Sequence, residues 1–182
     1  MKIQNKLFIL FILSMFSITL KADERLYKIE LIVFSQNMPN TEVFDETESL
    51  IAWPKTVLAR SSYKRVSPEY MMLNDSYAKL ARGKDYHPLM HVAWIQAVES
   101  NRLSTAVQIT NPEGTLDGFF RLQRGHLVHM IADIEYSPEP YIDSVIYRLN
   151  EKRRFKLNET HYLDHPKFGI VARVSPVTKE PL

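Results

Sequence analysis

The 182-residue chain has no cysteine, which excludes disulfides, a thiolate metal site and a lipidated cysteine anchor together. Its five glycines are never clustered, so no glycine-rich loop is available to cradle a phosphate. Neither a Gly-x-Ser-x-Gly elbow nor a Ser-x-x-Lys box followed by Lys-Thr-Gly occurs. Both hydrolase signatures are therefore missing, and Ser35, Ser104 and Ser144 read as ordinary strand-edge serines. The one long uncharged, mainly apolar run, Leu7 to Leu20, is shorter than the roughly 20 residues of a membrane span. What is abundant is ordinary globular material: 45% hydrophobic and 24% charged residues exclude a disordered or collagen-like chain.

Lys2 and Lys6, the run to Leu20, and the polar Lys21-Ala22-Asp23-Glu24 follow the order of a secretory signal peptide. Cleavage after Ala22 is expected, giving residues 1–22 as the signal and 23–182 as a single domain with a loose C-terminal tail around Pro176 and Pro181. The signal carries Lys2, Lys6 and Lys21 and no acid, so 23 bases less these three, against 21 acids, change the net charge from +2 to −1. A near-neutral mature chain offers no electrostatic case for nucleic acid.

The mature chain opens with Tyr27 to Phe34, in which Tyr27, Ile29, Leu31 and Val33 alternate with Lys28 and Glu30 before both faces turn apolar. This is a strand that becomes more buried towards its end. Residues 35–66 are aperiodic and acidic and read as a long connection whose one large anchor is Trp53. Ser67-Pro68 signals a helix start; Leu73, Tyr77, Leu80 and Ala81 share a helical face, and Gly83 suits a left-handed cap. One helix over 68–82 is expected, with Asn74-Asp75 able to split it. Residues 89–97 satisfy both helical and strand spacing. Thr105–Thr110 is β-rich, Asn111 to Gly114 forms a turn, and 116–136 reads as a β-hairpin turning at Arg124-Gly125. Ser144–Leu157 and Phe168–Val174 supply further strands. The fold class is α+β, a mostly antiparallel sheet of about five to six strands with one main helix packed on one face.

The six histidines fall in three close pairs, His87/His91, His126/His129 and His161/His165. A shared zinc is disfavoured: Pro166 turns the chain away from helix after the last pair, His126 and His129 point to opposite faces of a strand, and no pair has a zincin glutamate. No metal and no cofactor are expected. Asp133, Glu135 and Asp164 offer carboxylates, but spacing alone does not bring two together as glycosidase chemistry requires.

The densest polar chemistry lies in RRFKLNETHYLDHPKFGIVARVSP, residues 153–176. Two arginines, imidazoles, a phenol and carboxylates crowd into its first half. One reading is a surface for a carbohydrate or peptide ligand. The other is a self-satisfied turn at Asp164 and His165 before Pro166, with Glu159 paired to Arg154 on an exposed strand. Trp53 and Trp94 suit either a sugar face or a core.

Four segments, YKIELIVF at 27–34, the block from Tyr86 to Gln96 ending in HVAWIQ, GTLDGFFRLQRGHLVHM at 114–130, and 153–176 with its HYLDHP run, resemble the CsiV family of periplasmic peptidoglycan-binding proteins. The resemblance implies an exported, non-enzymatic cell-envelope factor of Gram-negative bacteria that binds peptidoglycan. It also implies support of cell-wall synthesis and cell shape through the outer-membrane lipoprotein activator of a class A penicillin-binding protein. No site residue is carried over from the family; residue chemistry alone nominates Trp94, Arg153, Arg154, His161 and Tyr162 for sugar faces, N-acetyl groups and stem-peptide carboxylates. Asp164, His165, Pro166 and Gly169 are expected to build the turn beside them. Two other classes remain open: an envelope enzyme such as a metal-dependent amidase, and a pure protein-interaction module using an exposed sheet edge.

Overall fold

The first mature segment becomes a 13-residue strand, β1 (Glu24–Gln36), whose residues from Tyr27 onward are almost all buried. The computed structural model describes residues 23–177 apart from 38, 40, 41, 45, 60 and 140–144. The expected signal peptide, the last five residues of the expected tail and Ser144 lie outside the described residues.

After β1 come β2 (Val57–Leu58), a 3-10 turn (Pro68–Tyr70), α1 (Asn74–Arg82), β3 (Tyr86–Glu99), β4 (Arg102–Leu103) and β5 (Ala106–Gln108). There follow β6 (Leu116–Arg124), β7 (Val128–Tyr136), β8 (Tyr147–Arg154), β9 (Thr160–His165) and β10 (Phe168–Pro176). The α+β class and its antiparallel character hold, since among the paired strands of the described residues only β2 and β5 run parallel. The expected single sheet is instead two: four strands in the order β3-β1-β10-β9, and six with β2-β5-β6-β7-β8 in line and β4 on β6. The physical reason is area. α1 has nine residues and is about 13 Å long, too short to cover a whole sheet, so the sheets bury their apolar faces against each other. Ile29, Leu31 and Trp94 of the first sheet join Phe120, Leu122, Met130 and Ile134 of the second in one core.

The helix packs on the outer face of the four-stranded sheet, where Leu73 and Leu80 meet Ile32, Phe34, Tyr86 and Val171. It is shorter than expected. Ser67-Pro68 starts only the 3-10 turn, and the backbone amides of Met72 and Leu73 are taken at 2.8 Å each by the buried Glu30 carboxylate of β1. Gly83 closes α1 with φ −68°, extended rather than left-handed. Residues 89–97 resolve as strand, the central part of β3. The β6–β7 hairpin forms in the expected register, from Leu116 opposite Tyr136 to Arg124 opposite Val128. Asn111 makes its turn by accepting from the amides of Thr115 and Leu116 at 2.9 and 3.0 Å.

The acidic connection crosses one end of the outer face of the six-stranded sheet. Trp53 rests on Phe119 with ring centroids 5.9 Å apart, and the Leu50 amide donates to Glu135 at 2.8 Å. Phe44 is a second anchor that the sequence did not suggest, packing on Tyr147 and His165 at 5.1 and 5.2 Å. Asp133 beneath receives a two-pronged ion pair from Arg148, both contacts at 2.8 Å.

Candidate functional site

The strand alternation of β8 and β9 divides the candidate residues among three places. Tyr162 lies on the outer face of the four-stranded sheet, beside the helix, and is 41% exposed. Its ring lies over Gly169: a Cβ built there would stand 2.6 Å from Tyr162 Cε2 and 2.8 Å from Phe34 Cζ. Gly169 is thus required by the rings above it, and not as a bracket after Pro166. Phe34 and Tyr162 lie nearly parallel, 15° apart with centroids 6.0 Å apart, and form an aromatic floor in which Phe34 is buried and Tyr162 exposed.

Polar groups edge this floor. The Tyr162 hydroxyl donates to Asp164 Oδ1 at 2.6 Å, and Gln36 Nε2 donates to the same oxygen at 3.4 Å and to the His165 carbonyl at 2.7 Å. The sequence places Asp164 in a self-satisfied turn with His165 before Pro166. Its partners are a phenol and a carboxamide, because it faces outward next to Tyr162 while the His165 ring faces inward. Burial, and then the Asp164 carboxylate that accepts its proton, push the Tyr162 phenol well above its ordinary value of 10, so it works as a neutral donor. Arg153 fixes the strand from its neighbour, donating through Nη1 to the Tyr162 carbonyl while Nε pairs with Glu151 at 2.6 Å. On the same face, two positions along β10 from Val171, the register partner of Tyr162, stands Arg173. Its buried Nε has no hydrogen-bond partner.

The remaining candidates lie elsewhere. Trp94 is fully enclosed in the core, its indole N–H donating to Gln96 at 3.2 Å; no sugar reaches it, which corrects its nomination as a stacking surface. His161 is held by the Lys156 carbonyl at 3.1 Å and lies edge-on to Phe155. Arg154 projects to the outer face of the other sheet, level with His129. Glu159 pairs with Lys156 rather than with Arg154. His165 and Pro166 do form the β9–β10 turn, where His165 Nδ1 accepts the Lys167 amide at 3.1 Å. Burial among Phe44, Phe168 and Tyr147 lowers the His165 pKa against the pull of Glu42, Asp164 and Glu46.

Sequence reasoning missed Phe34, which the β1–β10 register places opposite Gly169, and Gln36, whose backbone amide donates to the Lys167 carbonyl at 2.9 Å. It also missed the buried Glu30–His91 pair at 2.9 Å. Burial raises the Glu30 pKa, but His91 and the Met72 and Leu73 amides outweigh it and hold the carboxyl below its usual range. Among the described residues no three histidine or acidic side chains converge to hold a metal ion. The arrangement presents an exposed ring beside a carboxylate and a carboxamide, group types able to hold a sugar and its hydroxyls.

No curated protein and no solved structure matches the chain. A profile of the family described as "Peptidoglycan-binding protein, CsiV" matches residues 45–177, from the acidic connection through β10. That match spans most of the sequence, both sheets except β1, and the Tyr162–Asp164–Gly169 cluster; the chain belongs to the CsiV family of peptidoglycan-binding proteins.

Proposed function

We propose that the mature protein, exported and freed of residues 1–22, binds peptidoglycan in the periplasm without cleaving it. The carrying observation is the exposed Tyr162 ring, laid over Gly169 and bordered by Asp164 and Gln36, in a member of a peptidoglycan-binding family. A sugar ring stacks on the open face of Tyr162, and its hydroxyl or N-acetyl groups bond to Asp164, Gln36 and Arg173. By resemblance to its family, such binding serves cell-wall synthesis and cell shape, in partnership with the lipoprotein activator of a class A penicillin-binding protein.

The test is co-sedimentation of residues 23–182 with purified sacculi, followed by chromatography of the supernatant. Binding without released fragments is expected, and Tyr162→Ala should weaken it about tenfold, the scale of one aromatic contact of 1–2 kcal/mol. Soluble muropeptides appearing over time would establish an enzyme instead. Failure of the wild-type protein to pellet would leave a protein-interaction module.

A further inference from the structure

The outer face of the six-stranded sheet has two unlike halves. At the end crossed by the acidic connection, Asp133 and Glu135 are buried, and Arg148 is neutralised by Asp133. At the other end the register lines up Arg121, Ile131 and Lys152 in one row and Gln123, His129 and Arg154 in the next. Neighbouring strands are about 4.8 Å apart and alternate residues about 7 Å along a strand, so three permanent cations share a patch about 10 Å by 7 Å.

Among the described residues none of the three has a carboxylate partner. Arg121 lies over the Phe119 ring at 5.4 Å with its Nε unpaired, and Lys152 and Arg154 are exposed. Four arginines elsewhere in this fold are matched: Arg124 to Asp23, Arg148 to Asp133, Arg153 to Glu151 and Arg102 to Glu99. A groove of about 420 Å³ opens beside the patch, between Lys152, Gln123, His129 and the hairpin tip at His126 and Leu127. Clustered cations repel one another, so the arrangement favours an anion that bridges them.

We infer that this cationic patch, with the groove that opens beside it at Lys152, is a second binding site, and that it takes the carboxylates of peptidoglycan stem peptides. The inference rests on the peptidoglycan reading above. In peptidoglycan the negative charge is carried by the peptides and not by the disaccharide, so a neutral ring platform and an uncompensated cationic groove fit different parts of one polymer. A groove bounded by the hairpin tip suits a peptide better than the flat surface of a bilayer. Arg121 and Arg154 present planar forks for carboxylates, and Lys152 a point charge between them. The sites lie on opposite outer faces of the sandwich, so a short ligand fills one or the other, and a sacculus engages both.

The test compares the wild type with a triple variant, Arg121→Gln, Lys152→Gln and Arg154→Gln, with Lys79→Gln on α1 as a charge control. Circular dichroism and melting establish that each is folded. Three probes are used: intact sacculi, chitin as an uncharged N-acetyl sugar polymer, and vesicles containing anionic phospholipid. On intact sacculi at low salt the triple variant should bind at least about tenfold more weakly than the wild type and lose its salt dependence, as expected for surface charge contacts. On chitin the two should bind alike, and Lys79→Gln should match the wild type throughout. Equal pelleting of triple variant and wild type with intact sacculi overturns this inference alone. Wild-type protein that pellets with no peptidoglycan overturns both readings. A loss confined to the vesicles replaces the stem peptide with a lipid surface and overturns the inference.

Discussion

Substituting Gly169 by alanine tests whether the aromatic floor is as tightly seated as its geometry says. The glycine's backbone is outside the left-handed region, so alanine meets no conformational barrier there. Relief of glycine's entropy in a strand should even favour alanine by about 0.5–1 kcal/mol. Against this stands the new Cβ, 2.6 and 2.9 Å from Tyr162 Cε2 and hydroxyl and 2.8 Å from Phe34 Cζ. Phe34 is 3% exposed and held under Tyr86 and the helix, so Tyr162 must be the ring that lifts. That movement stretches the 2.6 Å bond to Asp164. Overpacking costs about 1–3 kcal/mol and a strained hydrogen bond about 1 kcal/mol more, so the net destabilisation should be about 2 kcal/mol.

The assay is urea denaturation of four proteins: wild type, Gly169→Ala, Tyr162→Ala and the double variant. Tyr162 supplies two of the three close approaches. Removing it first should reduce the cost of the alanine by about 1 kcal/mol or more, a coupling well above the additivity error of about 0.5 kcal/mol. Sacculus binding should fall in Gly169→Ala as it does in Tyr162→Ala. A cost below about 0.5 kcal/mol, or the same cost in both backgrounds, would refute the packing argument.

Glu30→Gln should cost about 2 kcal/mol in denaturant, since the buried carboxylate takes His91 and two backbone amides as donors. Because the Glu30 pKa is lowered in the fold, its contribution should be present above the ordinary value of 4.5 and vanish as pH falls through the lowered value. A wild-type acid limb no steeper than the variant's would count against that. Burial lowers the His165 pKa below its ordinary value of 6.5 in the fold; stability should therefore begin to fall as pH drops below about 6.5, and His165→Gln should flatten that part of the curve. Ultraviolet difference spectra of wild type against Tyr162→Phe should show no phenolate from Tyr162 near pH 10, since burial and Asp164 raise its pKa. Acrylamide should quench one tryptophan and spare the other, and Trp53→Phe should leave only the shielded emission of Trp94, because Trp53 is 41% exposed and Trp94 0%.

The hairpin of β6 and β7 was readable because one of its faces is apolar throughout and its turn carries glycine: period and punctuation agree there. In 89–97 they did not agree, because β3 is buried on part of both faces, with Val92, Ala93 and Trp94 enclosed in succession. A run of that kind is compatible with either element. The helix was overextended for a different reason. Its start signal at Ser67-Pro68 is real, but the amides of Met72 and Leu73 are claimed by Glu30, 42 and 43 residues away in sequence. Local propensity contains no trace of such a partner. The second sheet was illegible for the same reason: strand periodicity marks a buried face and does not say what buries it.

The site shows how chemistry and geometry divide the work. Composition picked out 153–165 as the densest polar segment, and Tyr162, Asp164 and Arg153 there do meet. Alternation then separates what sequence proximity had joined, sending Arg153 towards the β9 edge and Arg154 to the far face. The residues that complete each surface come from distant strands through register: Phe34 and Gln36 from β1 for the ring platform, Arg121 and His129 from the hairpin for the cationic groove. Each of these is unremarkable in its own segment. Phe34 is one of nine phenylalanines, and Arg121 alternates with apolar neighbours as any surface strand residue would. What distinguishes them is a spatial relation: a ring resting on a glycine, a guanidinium with no carboxylate in reach. Those relations arise only when two sheets fold over one core, and they are the basis for assigning ring and carboxylate recognition to opposite faces of the same protein.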